Sequence, residues 1–448
     1  MIRRFVVIAS LVLVATSVVF AGFNGNGNGF GNQVGGVFVN ADGVIASVQP
    51  LDLQKLNQEM ADNFAAPASA LKKPVELRKV SLKAVEAELR KLGNHNVMEL
   101  PDEIRYLAGI QRIQFVLLYP DSNDIVIAGP GEGWKLDGKG NVVGVTTGRP
   151  VLQLEDLLVA FRTVEAARQG QLSCSIDPTP EGRQRYEALM KNLKQFTPSA
   201  VQQIEKAFGD QKVTVSGAPD SSHFARVLVA ADYKMKRIGM KLEQSPVKGV
   251  TSFVDLAPAA NTDMMPRWWM AANYEPLGRS EDGLAWELKG TGVKVLTEDE
   301  FVDNAAGTVR GSGRTSPAAQ KWSEQFTAKF DELATKEPAF GELRNVMDMS
   351  IIAALFAKEN LASKAKCDLR ELTAANGQAK LHASVAPKKV ATQCSATKKG
   401  SNWVITASGG VSINSWEVAD KTEVVPAVGE VREKAKSASP AGEAFWWN

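Results

Sequence analysis

The chain has 448 residues, 44% hydrophobic and 23% charged, with 37 glycines, a globular composition long enough for two or three domains. Its formal charge is +2, and without Arg3 and Arg4 the basic and acidic side chains balance at 50 each; a groove for polyanions shows as an excess of Lys and Arg, so no nucleic-acid partner is expected. Three histidines and three cysteines exclude a multi-metal centre and a disulfide-rich scaffold.

Met1-Ile2-Arg3-Arg4 is a cationic start, residues 5–20 carry no charge, and Val19-Phe20-Ala21 offers a small-residue cleavage pattern. Residues 1–21 therefore read as a signal peptide, and the protein as exported to the periplasm, the cell envelope or the exterior. The apolar run is shorter than the roughly 20 residues a spanning helix needs, and no membrane span is expected after cleavage. Residues 22–33 alternate Gly and Asn and read as a flexible tether.

A first α+β domain is expected over 34–262. Val37-Phe38-Val39-Asn40 and Gly43-Val44-Ile45-Ala46 flank Ala41-Asp42 as a hairpin with Asp-Gly turn chemistry. Residues 81–92 read as an amphipathic helix, 113–119 and 125–128 as buried strands, and 134–136 with 141–143 as a second hairpin. Leu154, Leu157, Leu158, Phe161 and Val164 mark a helix, and 171–176 is extended. Thr179-Pro180 and Thr197-Pro198 each cap a helix with proline at its first position. The strongest helical signal starts at Ser221-Ser222: Phe224, Val227, Leu228, Ala231, Met235, Ile238 and Leu242 share one side, with Lys234, Lys236 and Arg237 opposite or flanking.

A second α+β domain is expected over 263–385, with strands at 268–274 and 284–288, a capped helix from Ser316-Pro317 and an apolar helix over 340–361. A β segment, 386–424, pairs 403–405 with 410–413, and 425–448 reads as a flexible tail ending in Phe445-Trp446-Trp447-Asn448. The expected class is thus α+β, hairpin-rich mixed sheets packed by capped amphipathic helices. The spacing Trp134-x-Leu136-x-Gly138-x-Gly140 recurs as Trp286-x-Leu288-x-Gly290-x-Gly292, which raises a tandem duplication as one architecture.

Chemistry-bearing residues are dispersed. His95, His223 and His382 stand apart, so no metal site and no cofactor is expected. Cys174, on a strand running through Asp177 into the helix at Thr179, has His223 as its candidate base, the arrangement a cysteine hydrolase needs; a buried, inert strand cysteine is the plainer reading. Cys367 and Cys394 are the favoured disulfide pair, a bridge worth roughly 3 kcal/mol in the chain-entropy picture. Trp268 and Trp269 are adjacent on a strand, so one faces inward and the other outward, where an indole can stack on a sugar or a partner's side chain. Phe445, Trp446 and Trp447 either fold back as an edge strand or dock on another protein.

The segments Gly36-Val37-Phe38-Val39-Asn40-Ala41-Asp42-Gly43-Val44, Ala128-Gly129-Pro130 through Gly133-Trp134, and Cys174-Ser175-Ile176-Asp177-Pro178-Thr179-Pro180-Glu181-Gly182 carry a family likeness. Val229 to Arg237 and Pro266-Arg267-Trp268-Trp269 add to it. Together they resemble a family of uncharacterised exported proteins of planctomycete bacteria, a domain of unknown function, over about residues 35–420. The resemblance implies no activity, catalytic residue or ligand. The leading expectation is a non-catalytic envelope or extracellular protein that binds a macromolecular partner, either an envelope protein or a polysaccharide. A Cys174/His223 hydrolase and a carbohydrate-binding module built on Trp268 or Trp269 are the alternatives.

Overall fold

The computed structural model describes residues 33–47, 64, 67–170, 172–192, 198–257, 265–303, 307–309, 315–399, 401–437 and 445–448; the leader and, but for Gln33, the tether lie outside them. At the amino-terminal side β1 (Gln33–Val34), β2 (Val37–Val39) and β3 (Val44–Ser47) form an antiparallel meander. The Asn40 carboxamide oxygen shapes its turn, accepting the amides of Asp42 and Val44 at 2.9 Å each. β4 (Val75–Ser81) runs straight into α1 (Leu82–Leu92), where the Ser81 hydroxyl accepts the Ala84 amide as the N-cap. β5 (Phe115–Tyr119) and β6 (Asp124–Gly131) pair antiparallel, and β7 (Trp134–Leu136) with β8 (Val142–Gly144) makes the expected small hairpin.

Next come α2 (Leu154–Arg162), β9 (Leu172–Pro178), α3 (Pro180–Asn192), α4 (Pro198–Phe208), β10 (Asp210–Ser216) and α5 (His223–Gly239). Ser222 caps α5, accepting the Ala225 amide at 3.1 Å. β11 (Met265–Asn273), β12 (Leu277–Arg279), β13 (Ala285–Glu287), β14 (Gly292–Asp303) and β15 (Gly307–Val309) follow. Then α6 (Pro317–Ala328), α7 (Phe330–Lys336) and α8 (Pro338–Glu359) form the helical layer. The chain closes with β16 (Lys389–Ala391), β17 (Ser395–Lys399), β18 (Ser401–Ile405), β19 (Ser408–Ile413), β20 (Thr422–Val424), α9 (Pro426–Ser437) and β21 (Trp446–Trp447).

The result is a mixed α+β protein with two large sheets. The ten-stranded sheet runs β1-β2-β3-β16-β10-β9-β19-β11-β14-β15, and the seven-stranded sheet runs β20-β12-β13-β5-β6-β4-β21. Both take strands from all three segments expected to be separate, so the boundaries at 262/263 and 385/386 do not part the core. In the ten-stranded sheet the mixing comes through β16 and β19, and β19 does not pair with β18 as the sequence suggested. β18 pairs with β17, while β19 lies between β9, antiparallel, and β11, parallel. Nor do the two Trp-x-Leu-x-Gly segments match in place: Trp134 lies in the small hairpin, whereas Trp286 sits on β13, between β12 and β5. The expected linker after Val425 is instead α9, whose Val428 and Ala435 pack with Leu117, Val126 and Trp447.

One face of the ten-stranded sheet is covered by α5 and α6. On β11, Trp268 points into this layer, with ring-centroid distances of 5.5 Å to Phe253 and 4.3 Å to Trp322. Gly239 of α5 allows this approach, since a Cβ there would come within 2.5 Å of the Trp268 ring. The two sheets are tied through α8. Asp348 accepts Nε and Nη2 of Arg112 at 3.0 and 3.1 Å and the Tyr274 hydroxyl at 2.6 Å, while Arg112 Nη1 donates to the Gly290 carbonyl at 3.0 Å.

Candidate functional site

Cys174, Asp177 and His223 do not converge. Cys174 belongs to the inward row of β9, 4% exposed, opposite Val215 of β10 and Val411 of β19. Asp177 belongs to the outward row and accepts the Gly409 amide at 3.3 Å. The groups facing the Cys174 thiol come from further along α5. Lys236 donates to the carbonyls of Ile176 and Gly409 at 2.7 and 3.1 Å and pairs with Asp232 at 3.0 Å. His223 stands at the start of that helix, two and a half turns or roughly 13 Å from Asp232. Burial, with the charge of Asp232, pushes the thiol well above its ordinary range; a nucleophile needs the reverse. Iodoacetamide at neutral pH is therefore expected to leave Cys174 unmodified in the native protein and to label it in urea. Native labelling of Cys174, read by peptide mass spectrometry, would contradict this environment.

His223 has its own partners. Its Nδ1 donates to Asp156 Oδ2 at 2.9 Å, its Nε2 lies 3.8 Å from Glu342 Oε2, and the Gln153 amide is 3.2 Å from Nε2. Arg226, one turn along α5 and 3% exposed, adds a guanidinium whose Nε and Nη1 have no hydrogen-bond partner among the described residues. Burial works against the imidazolium, yet the charge and hydrogen bond of Asp156, with Glu342 and Glu155, carry its pKa up to about 9. Burial also pushes the Glu342 carboxyl up to about 7, against the pull of His223. An imidazole already protonated at neutral pH is a poor general base. The cluster instead ties α2, α5 and α8 together. Beside it lies a cavity of about 10 Å³ lined by Val97, Met98, Arg105, Leu154 and Glu155, room for one water.

The cluster sets a pH dependence. His223 has a folded pKa above its ordinary 6.5, so its stabilisation is complete below that value and is lost as pH rises through about 9. Glu342 is likewise raised, from 4.5 to about 7, so the folded state holds its proton more tightly and loses stability as pH climbs across that interval. Both signs agree. The urea midpoint is expected to fall steadily from pH 5 to pH 9.5, and His223→Gln to remove the step above pH 6.5; a midpoint that rises with pH would contradict the assignment.

The tryptophan pair divides as strand alternation requires. Trp268 is buried, whereas Trp269 is partly exposed on the other face of β11 with the Arg267 guanidinium 5.3 Å from its ring centroid. Across the register Trp269 stands opposite Leu296 of β14 on one side and Gly410 of β19 on the other. Gly410 in turn faces Ser175 of β9, which faces Thr214 of β10. Five strands thus present one outward row.

The terminal aromatics fold back on their own chain. Phe445 accepts the Ser81 amide at 2.8 Å, Trp446 and Trp447 pair with Val80 and Lys79 of β4, and the Trp447 indole donates to the Ala435 carbonyl at 3.3 Å. Trp446 lies against Arg78, whose guanidinium is 5.3 Å from its ring centroid. The expected Cys367–Cys394 bridge is not formed, and all three cysteines are free and buried. Cys367 packs in the main core, while Cys394 packs with Ile204 and Phe208 of α4, its amide held by Glu205. Burial pushes each of these two thiols up to about 12. Among the described residues no cluster of His, Cys, Asp or Glu is arranged to hold a metal ion, and no helix is long and apolar enough to cross a membrane.

Residues 174–253 match the model of a protein family of unknown function, DUF1598. The matched stretch begins at Cys174, takes in β9, α3, α4, β10 and α5, and ends at Phe253. It holds the two central strands and the helix that carries His223, Arg226, Asp232 and Lys236. No curated protein and no solved structure matches the chain.

Proposed function

We propose that this is an exported, non-catalytic protein, akin to the exported planctomycete proteins it resembles, that binds a macromolecular partner in the envelope or outside the cell. The cationic, apolar start of the chain supports export. Trp269 carries the binding reading: a large indole left partly exposed on the outward face of a sheet is the kind of side chain that concentrates binding energy. Support for a non-catalytic role comes from the use made of the reactive groups, since Cys174 packs inward and His223 is held by carboxylates. The aromatic tail packs on its own chain, with Trp446 and Trp447 paired to β4 and the Trp447 indole bonded to the Ala435 carbonyl of α9.

Cell fractionation tests it. Trp269→Ala is expected to lower retention in the envelope fraction, or co-purification with the partner, by about tenfold or more, equivalent to roughly 1.4 kcal/mol, with thermal stability unchanged. Retention equal to that of the unaltered protein would overturn the reading.

A further inference from the structure

We infer that the outward row around Trp269 is a track for a neutral polysaccharide laid across the strands, an inference that rests on the binding reading above and names its partner. The row runs Thr214, Ser175, Gly410, Trp269, Leu296 in unbroken cross-strand register over β10, β9, β19, β11 and β14. At the ordinary strand spacing of about 4.8 Å it extends about 19 Å, the length of several sugar rings. A hexose has an apolar C–H face and a rim of hydroxyls. The Trp269 indole suits the first, and its neighbour Leu296, 36% exposed, extends the apolar end. The hydroxyls of Ser175 and Thr214, each able to donate and accept, suit the second.

Between these halves Gly410, itself buried, contributes no side chain. A Cβ on Gly410 would come within 1.8 Å of the Cys174 carbonyl oxygen, so β9 and β19 admit only glycine there and nothing projects beside the indole. The Arg267 guanidinium backs the ring and is itself 3.7 Å from Glu298. The central row carries no charge, and on its borders Arg267 stands opposite Glu298 and Lys212 opposite Asp177, with Lys294 further along β14; no block of like charge lies along the row, which favours an uncharged polymer over a polyuronate or a nucleic acid.

The test uses the chain from residue 22 onward, titrated with cellohexaose, chitohexaose and a hexagalacturonate while tryptophan fluorescence and calorimetry are followed. One or both neutral hexamers are expected to bind with a change in indole emission, and the charged hexamer at least about tenfold more weakly. Trp269→Ala is expected to abolish the signal and Ser175→Ala with Thr214→Ala to weaken binding severalfold. Trp416→Ala, removing an indole that donates to the Val164 carbonyl under Arg168, leaves it unchanged. Failure of both neutral hexamers to bind, equal binding of the charged one, or undiminished binding by Trp269→Ala would overturn the inference. Lost envelope retention in Trp269→Ala without any sugar binding would sink the polysaccharide and leave the binding reading in place. Sugar binding that needs Trp269 while retention is unaffected would do the opposite.

Discussion

Asp348→Ala is expected to lower the unfolding free energy by about 3–5 kcal/mol, the usual loss when one partner of a buried ion pair is removed. Asp348 is 0% exposed and accepts three hydrogen bonds, two from Arg112 and one from Tyr274. Without it the Arg112 guanidinium keeps, among the described residues, the Gly290 carbonyl, and the Tyr274 hydroxyl loses its partner. Arg344 adds to the strain, since it is buried close by and leans on Asp331 at 2.7 Å. Urea denaturation of Asp348→Ala, Arg112→Ala and the double variant decides the matter. The double variant is expected to be less destabilised than the sum of the singles, because the uncompensated charge leaves with its partner. A single-variant loss below about 1 kcal/mol, the range of an exposed pair, would show that the network is not what joins α8 to the two sheets.

Trp268→Ala is expected to cost about 3–5 kcal/mol, as removal of a large core aromatic does, whereas Trp269→Ala costs less than about 1 kcal/mol. The two residues are chemically identical and adjacent, so the difference isolates facing. Trp268 is 0% exposed and fills the space between Phe253, Trp322 and Gly239; its loss opens a cavity under α5 and α6 that the helices cannot close. Trp269 is partly exposed on the opposite face, with the Arg267 guanidinium beside its ring. Equal costs, or the reverse order, would mean that β11 presents its faces the other way round, with Trp269 in the core.

Local features were legible because they depend on near neighbours. Ser222 ahead of Phe224, Pro317 after Ser316 and the turn after Asn40 each announce an element through capping or turn chemistry, and each element forms. Strand alternation was enough to separate Trp268 from Trp269. The long-range pairings were not legible. Lys234 and Lys236 lie opposite or flanking the apolar side of α5 in the sequence pattern, yet both are buried, Lys234 against Glu243 and Lys236 against backbone carbonyls. Helical spacing shows which residues share a side and says nothing about carbonyls arriving from β9 and β19. Asp156, Arg226 and Glu342 were missed for the same reason, although an ionisable residue inside an apolar run, as Asp156 is between Leu154 and Leu157, is a signal that a partner waits elsewhere in the chain. Composition alone hides α9, although Val428, Val431 and Ala435 behind Pro426 have helical spacing.

β19 has a bearing on how the chain is made. It is the strip that joins β9 to β11, and so the two halves of the large sheet, yet it lies at residues 408–413. A ribosome releases the chain from its amino terminus onward, so the seam stays open until residues 408–413 have been made. Until that strip emerges, β9 can pair with β10 and β11 with β14, but the two groups have no strand to join them.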